Sequence, residues 1–201
     1  VFFPGSTLPL HLFEPRYREM MEHFVSQGPM AMAVTLLSEG WEDDYDGRPP
    51  IHEVAGAGRI LDWRRRRDGR FDLLLHGLSR VRLEELPPGE RSYRRAKATP
   101  LPDRIPHEGA VEELRVPVLA AASSVVALVR ERHPDFSLGV DADTPPGLLA
   151  DRIADRLVPE PDRRQALLEA LDVKRRLALV QDALFDLLAQ LRGEGHGGAL
   201  H

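Results

Sequence analysis

The 201-residue chain is predicted to be an α+β protein, a β-rich first half followed by a helical second half. Three observations predict it. Up to about residue 105 the apolar residues come in short runs separated by Gly and Pro turns, the pattern of short strands in a small barrel or folded-over sheet. A single helical stripe interrupts them early. Beyond about residue 108 the runs lengthen and take the 3.6-residue period of amphipathic helices.

The early helix is announced by Phe13-Glu14-Pro15-Arg16-Tyr17. Pro15 suits a first helical position, where its missing N–H would be unpaired anyway, and Glu14 places negative charge at the positive end of the helix dipole. Tyr17, Met20, Met21 and Phe24 then form one apolar face before Gln27-Gly28-Pro29 ends the helix. Residues 31–37 read as a strand, and 38–50 as a mobile loop rich in Gly, Pro and acid. Residues 54–63 read as the next strand, in which Gly56 and Gly58 leave room for a bulge or a close backbone neighbour. Asp68-Gly69 predicts a tight type I′ hairpin turn, with a returning strand over 71–75. Val81, Leu83 and Leu86 suggest another strand closed by Pro87-Pro88-Gly89, and 93–101 a further one.

In the second half, residues 108–132 are helical in period, but Pro117 removes a backbone hydrogen bond and is expected to kink or divide the segment. Thr144-Pro145 reads as an N-cap and first-turn proline opening a helix with Leu148, Leu149, Ile153 and Leu157 on one face. Pro159 and Pro161 separate it from a helix over 163–171. The last helix has Asp172 as its N-cap, Gly193 just past its end, and a seam of Val173, Leu177, Val180, Leu184, Leu187 and Leu191. That seam packs against another helix, of this chain or of a second copy, so self-association through the last helix is one expectation. Residues 194–201 are read as a flexible tail.

Composition narrows the function classes. With 42% hydrophobic and 29% charged residues the chain supports a real core. The absence of cysteine excludes disulfides, thiolate catalysis and thiolate zinc sites, and fits a reducing, cytoplasmic compartment. No run approaches the roughly 20 apolar residues of a membrane span, and no signal peptide is visible. The chain opens on Val1 rather than Met, which points to residues preceding it. Residues 51–100 carry 12 Arg and Lys against 7 Asp and Glu, whereas residues 1–50 carry 3 against 8. The field is therefore bipolar, with a net charge of −5, and lacks the overall basic bias of a dedicated nucleic-acid binder.

Phe3-Pro4-Gly5 followed by Leu8-Pro9-Leu10-His11-Leu12-Phe13-Glu14-Pro15-Arg16-Tyr17 resembles the opening of the Lon protease N-terminal (substrate-binding) domain. Glu53-Val54-Ala55-Gly56, Gly58-Arg59-Ile60, Asp68-Gly69-Arg70 and His76-Gly77 follow in the family's order. Gln165 to Glu169 and Arg175-Arg176-Leu177 look like its closing helices, so the likeness spans nearly the whole chain. It implies a PUA-like β pseudo-barrel with one early helix over residues 1–105, then a helical bundle with a long last helix over 106–193. It also implies a module that engages unfolded or tagged substrates. The sequence has no G-x-x-x-x-G-K-[ST], and Lys97 and Lys174, its only lysines, lie in no segment resembling the family's Ser-Lys protease domain. The ATPase and protease activities are not carried over, and the chain is expected to be non-enzymatic, a stand-alone homologue of the substrate domain.

Phe13, Glu14, Pro15, Arg16, Tyr17, Gly56 and Gly58 are read as a structural signature, with Glu14 and Arg16 fixing the helix entry and Phe13 and Tyr17 packed into the core. Arg64-Arg65-Arg66-Arg67 with Arg70 is the one sharp electrostatic feature. It is read as a solvated hairpin tip, with partner docking and phosphate contact as the other options, because strand geometry sends alternate residues to opposite faces. No histidine shows metal-ligand spacing, and His11, His52 and His76 are read as turn or barrel-rim residues. Gly77-Leu78-Ser79-Arg80 lacks the second glycine of a nucleophile elbow. Glu42, Asp43, Asp44 and Asp46 do not follow an EF-hand and are read as a solvated loop. No cofactor or metal is expected.

The sequence thus predicts a protein- or peptide-binding module that takes extended or exposed apolar polypeptide on a groove of barrel strands and adjoining helices. Trp41, Trp63, Arg64 and Arg66 are its candidate partner-binding residues. The competing reading is a PUA-like RNA-binding protein using the basic 59–97 segment. A hydrolase or transferase with a scattered site is the third class, and it requires a deep pocket lined by titratable groups. A nucleic-acid partner is disfavoured and no membrane partner is expected.

Overall fold

The computed structural model describes residues 1–45, 47–105, 108–141 and 143–197, and the chain divides into two compact units, Val1–Pro102 and Asp103–His201.

The first unit is built on β1 (Thr7–Leu12), α1 (Pro15–Gln27), β2 (Ala31–Val34), β3 (Val54–Arg65), β4 (Phe71–Glu85) and β5 (Ala96–Pro100). All strand pairs are antiparallel, in the order β1-β4-β3-β2. β4 is the organising strand. One of its edges takes β3 along most of its length, while the other takes β1 over residues 71–76 and β5 over residues 81–85. The sequence suggests two strands here, over 71–75 and from Val81. They are one continuous strand, because Gly77 and a one-residue irregularity at Leu78 let it bend without breaking.

The sheet curls over α1. Phe71, Leu73 and Leu75 of β4, Ile60 of β3 and Leu12 of β1 share a buried cluster with Met20 and Met21 of α1. Tyr17 and Phe24 pack against it as well, so the helical stripe read from the sequence is the face that α1 buries. β1 was not legible as a strand, since Pro9 sits in its middle. Its alternation is regular nevertheless, with Leu8, Leu10 and Leu12 more buried than Thr7, Pro9 and His11, and it tolerates proline because it lies at the end of the sheet.

The N-terminal segment lies across the sheet on a floor of glycines. A Cβ at Gly56 would stand 1.9 Å from the Phe2 carbonyl oxygen, and one at Gly77 would stand 2.1 Å from that of Phe3. Gly58 faces the Phe2 ring in the same way. Both options read for Gly56 and Gly58 are thus realised, since the backbone of residues 2 and 3 passes close and the register of β3 slips beside Gly58.

The β3–β4 hairpin departs from the type I′ expectation. No residue other than glycine has positive φ among those described, and within this hairpin it is Gly69 that takes it, at 80°. Gly69 N–H donates to the Arg66 carbonyl at 3.1 Å and Arg66 N–H to that of Arg70 at 2.8 Å. This is the three-residue connection that ends on a left-handed glycine, so Asp68 remains on the right-handed side.

The loop before β3 is pinned. A bridge joins Leu37 to Ile51, a 3₁₀ turn forms over Trp41–Asp44, and the Asp44 carboxylate accepts the Arg48 N–H at 2.9 Å. Arg48 also donates to Glu85. Asp44 is therefore engaged in the loop's own folding, while Asp46 lies outside the described residues.

The second unit comprises α2 (Glu108–Arg132), α3 (Pro146–Leu157), α4 (Pro161–Glu169) and α5 (Val173–Gly197). Pro117 does not divide α2, which runs as one helix. Pro145, not Thr144, occupies the N-cap of α3, while the Thr144 hydroxyl donates to the Asp141 carboxylate at 2.7 Å and tightens the preceding turn. Asp172 does cap α5, its carboxylate accepting the Arg175 N–H at 2.9 Å. α5 continues through Gly197, so Gly193 lies inside the helix and not just past its end.

The buried face of α5 is Val173, Leu177, Val180, Leu184 and Leu188. The last step falls on Leu188 where the sequence seam placed Leu187, because a helix of 3.6 residues per turn drifts off a strict 3.5-residue repeat. This face packs on α2 and α3 within the same unit.

Candidate functional site

Exposed large apolar side chains of the first unit include two at strand irregularities, Leu61 and Leu78, and one at the corner between β1 and α1, Phe13, beside Val25, Tyr45, Trp63 and Leu86 elsewhere. In the β3–β4 pairing, Ile60 faces Leu75 and Asp62 faces Leu74, which leaves Leu61 without a cross-strand partner. Likewise Ala57 faces Ser79 and Gly58 faces Gly77, which leaves Leu78 over. Both extra residues are leucines, and they are 50% and 55% exposed. Bulges re-aim side chains, and here two large apolar groups are exposed on a sheet that buries Leu12, Leu73 and Leu75 and half-buries Leu8, Leu10, Leu74 and Leu83.

At the corner, Phe13 is 58% exposed and stacks on the His11 ring with a centroid separation of 6.3 Å. Phe13 is therefore a surface residue, against the expectation that it packs into the core. Tyr17 does pack against the core. Glu14 accepts from Arg16 Nε at 2.8 Å, and the Arg16 guanidinium lies over two rings, Tyr17 at 5.1 Å and Tyr45 at 6.0 Å. The signature thus joins the start of α1 to the 3₁₀ turn, where Trp41 meets Tyr45 edge-on at 5.7 Å. Pro15 is at the first turn and Glu14 at the N-cap, but the Glu14 side chain makes no capping bond and turns to Arg16 instead.

Four of the five hairpin arginines have carboxylate partners. Arg66 Nε donates to Asp72 at 2.8 Å, Arg64 reaches the same carboxylate oxygen at 3.5 Å, and His11 Nδ1 lies 2.8 Å from its other oxygen. These hydrogen bonds, that of Arg66 first, hold the Asp72 carboxyl well below the usual carboxylate range. Arg65 points the other way, to Glu22 of α1 and over the Phe71 ring, and Arg70 pairs with Asp68. The alternation expected of a strand separates Arg65 from Arg64 and Arg66.

Trp63 tilts against Phe71 at 6.1 Å and keeps 38% of its surface exposed. Trp41 is half-buried. Of the four predicted partner-binding residues, the structure brings Trp63, Arg64 and Arg66 to one hairpin and puts Trp41 on the loop beside α1. Leu61 and Leu78 were missed, because nothing in a sequence distinguishes a bulged leucine from a paired one.

Among the described residues no cluster of three or more His, Asp or Glu side chains is arranged to hold a metal ion, and no helix is long and apolar enough to cross a membrane. Gly77-Leu78-Ser79-Arg80 lies within β4 and not on a strand-to-helix turn. His76 is also a mid-strand residue, unlike the rim position expected of it.

Residues 1–186 match the family model described as the ATP-dependent protease La (LON) substrate-binding domain. Lon protease 2 of Myxococcus xanthus is 29% identical over 92% of this chain, and the Lon protease of Paraburkholderia phytofirmans is 30% identical over 96%. The chain spans only 22% and 24% of the lengths of those two relatives. Among solved structures, the N-terminal domain of Mycobacterium avium complex Lon protease superposes with a TM-score of 0.67 at 18% identity, covering 92% of this chain and 93% of that one. The Lon N-terminal domain protein of Xanthomonas campestris gives 0.55 at 22% identity, with 89% of each covered. These two likenesses show the fold, and the match along 1–186 shows the lineage: the chain belongs to the Lon protease N-terminal, substrate-binding domain family.

Proposed function

We propose that the chain is a polypeptide-recognition module that acts by contact alone, selecting segments with exposed apolar side chains and performing no group transfer. The observation that carries this reading is the pair of out-of-register leucines, Leu61 and Leu78, presented on an otherwise well-packed sheet. Large apolar side chains held out by rigid strands lose little entropy on binding, which favours recognition of an apolar partner. Trp63 and Phe13 are further exposed apolar side chains of the same unit. The pairing of Arg64, Arg65, Arg66 and Arg70 with Asp72, Glu22 and Asp68 supports this reading over RNA binding, since those guanidinium groups already have carboxylate partners.

The test is fluorescence anisotropy with a labelled, uncharged 20-residue peptide rich in Leu, Phe and Ser. Binding to the wild-type chain is expected, and Leu61→Ser/Leu78→Ser is expected to weaken it about tenfold, as loss of two central apolar contacts does. Undiminished binding by that variant, or retention of RNA in place of the peptide, overturns the proposal.

A further inference from the structure

The helical unit carries a second feature of different chemistry. An open groove of about 570 Å³ runs beside the α4–α5 junction, with Leu114, Leu171 and Ala178 on its floor and Arg104, Lys174 and Arg175 on its walls. The three floor residues are half-buried and the three basic residues are exposed. Arg104 is fixed in place by its backbone, which accepts from Val173 N–H at 3.0 Å and donates to the Leu171 carbonyl at 2.8 Å. Its Cα therefore stands at a set distance from the start of α5.

None of Arg104, Lys174 and Arg175 has an ion-pair partner among the described residues. This contrasts with the hairpin arginines of the first unit. Two carboxylates also line the groove and keep their negative charge while serving local structure, so the lining carries three positive groups and two negative ones. Asp172 accepts the Arg175 N–H as the cap of α5, and Glu169 accepts from the Gln165 side chain at 2.8 Å. The groove thus offers three cations without ion-pair partners around an apolar strip, in excess of its two carboxylates by one charge.

We propose that this groove is a contact site for an acidic stretch of polypeptide, in which carboxylates flank an apolar side chain. The net positive lining favours an acidic partner over a basic one, each exposed cation can meet a carboxylate, and the apolar floor favours an apolar group between them. A nucleic acid fits less well, because the groove has no aromatic ring on which a base could stack. The proposal rests on the reading of the chain as a polypeptide-recognition module but concerns a separate surface with its own specificity.

The experiment uses the full 201-residue chain and two fluorescein-labelled 12-residue peptides, one built from Glu, Leu and Ser and one with every Glu replaced by Gln. The Glu peptide is expected to bind, and its affinity to fall as salt rises from 50 to 300 mM, about as expected for exposed charges. Arg104→Glu/Arg175→Glu, and separately Arg104→Gln/Arg175→Gln, are expected to weaken it about tenfold or more. Both sites tolerate substitution, since Arg104 engages the fold through its backbone and Arg175 is exposed; an unchanged thermal midpoint confirms it. Arg67→Glu on the distant sequence segment of the hairpin is expected to leave binding unchanged. Equal binding of the Gln peptide, insensitivity to both groove variants, or equal competition by poly-U RNA of the same charge overturns the proposal. The uncharged peptide of the preceding test is measured alongside: if the wild-type chain fails to bind it while the groove behaves as expected, the Leu61 and Leu78 reading fails and the groove stands.

Discussion

Arg176 and Asp151 form an ion pair at 2.9 Å in the interior of the helical unit, with the Arg176 side chain wholly inaccessible and that of Asp151 3% exposed. A second carboxylate, Asp103, reaches the same guanidinium at 2.5 Å, so one arginine of α5 fixes both α3 and the segment that enters the unit. Arg176 Nε has no hydrogen-bond partner among the described residues, which makes this a tightly positioned but incompletely satisfied cluster. Removing the arginine leaves Asp151 buried without its counter-charge, a change that costs about 3–5 kcal/mol. Arg176→Ala is accordingly expected to lower the urea midpoint sharply or abolish folding of this unit. Replacing the cluster by Arg176→Met/Asp151→Leu/Asp103→Asn is expected to recover most of that loss, because no buried charge remains. A triple variant as unstable as the single one would show that the arginine acts through something other than charge compensation.

The glycine floor gives a second expectation. Gly56→Ala would drive a methyl group to 1.9 Å from the Phe2 carbonyl oxygen, a backbone atom that cannot turn aside. Either the N-terminal segment lifts off or the sheet shifts, and overpacking of this kind costs about 1–3 kcal/mol. The expected readout is a lower thermal midpoint together with faster amide exchange at residues 2 to 6, since the same N-terminal segment is held on β4 by the Gly5 N–H donating to the Gly77 carbonyl and the Gly77 N–H donating to that of Ser6. Normal protection of those amides would contradict the role assigned to Gly56.

Arg16 is expected to order the loop through Tyr45. Its guanidinium is held by Glu14 and lies over both the Tyr17 and Tyr45 rings. Arg16→Ala removes the ring contact across the loop, and faster proteolysis between residues 38 and 50 should follow. Arg16→Lys is expected to rescue little, because an ammonium lacks the planar face that stacks between rings. Full protection in Arg16→Lys would show that charge alone suffices.

Most of this fold was legible because local chemistry and tertiary packing agree in it. α1 begins at a proline, ends at Gly28 and buries the face that its spacing predicted, and Asp172 caps α5 as expected. The failures came where a distant partner decides. β1 hides behind Pro9, which only the end of a sheet accommodates, and β4 reads as two strands until its pairing with β3 shows the bend at Leu78. Phe13 looked like core because it is aromatic beside a helix start, yet the core is filled by Leu12, Met20 and Met21 and the ring is left outside. The arginine run was visible in the sequence, but its pairing was not, since Asp72 and Glu22 come from other elements.

That pairing sets a pH dependence whose sign follows from Asp72. Its folded-state pKa is lowered, chiefly by the hydrogen bond from Arg66 and then by that from His11, so the unfolded chain binds the proton more readily. The contribution to stability is therefore fully present above the carboxylate's ordinary pKa, near 4, and is lost as pH falls through the depressed value. Glu85 is lowered in the same direction by Arg94, so part of the acid loss of stability is independent of the hairpin. Urea midpoints measured from pH 6 to pH 2 are expected to fall for the wild type and to fall less steeply for Asp72→Asn, which has no proton to take up at that site. Because Asp72 is partly exposed, 0.5 M salt should shrink the difference between the two curves, screening the arginine partners. Parallel curves for the two proteins would mean that the three contacts at Asp72 do not distinguish its folded from its unfolded state.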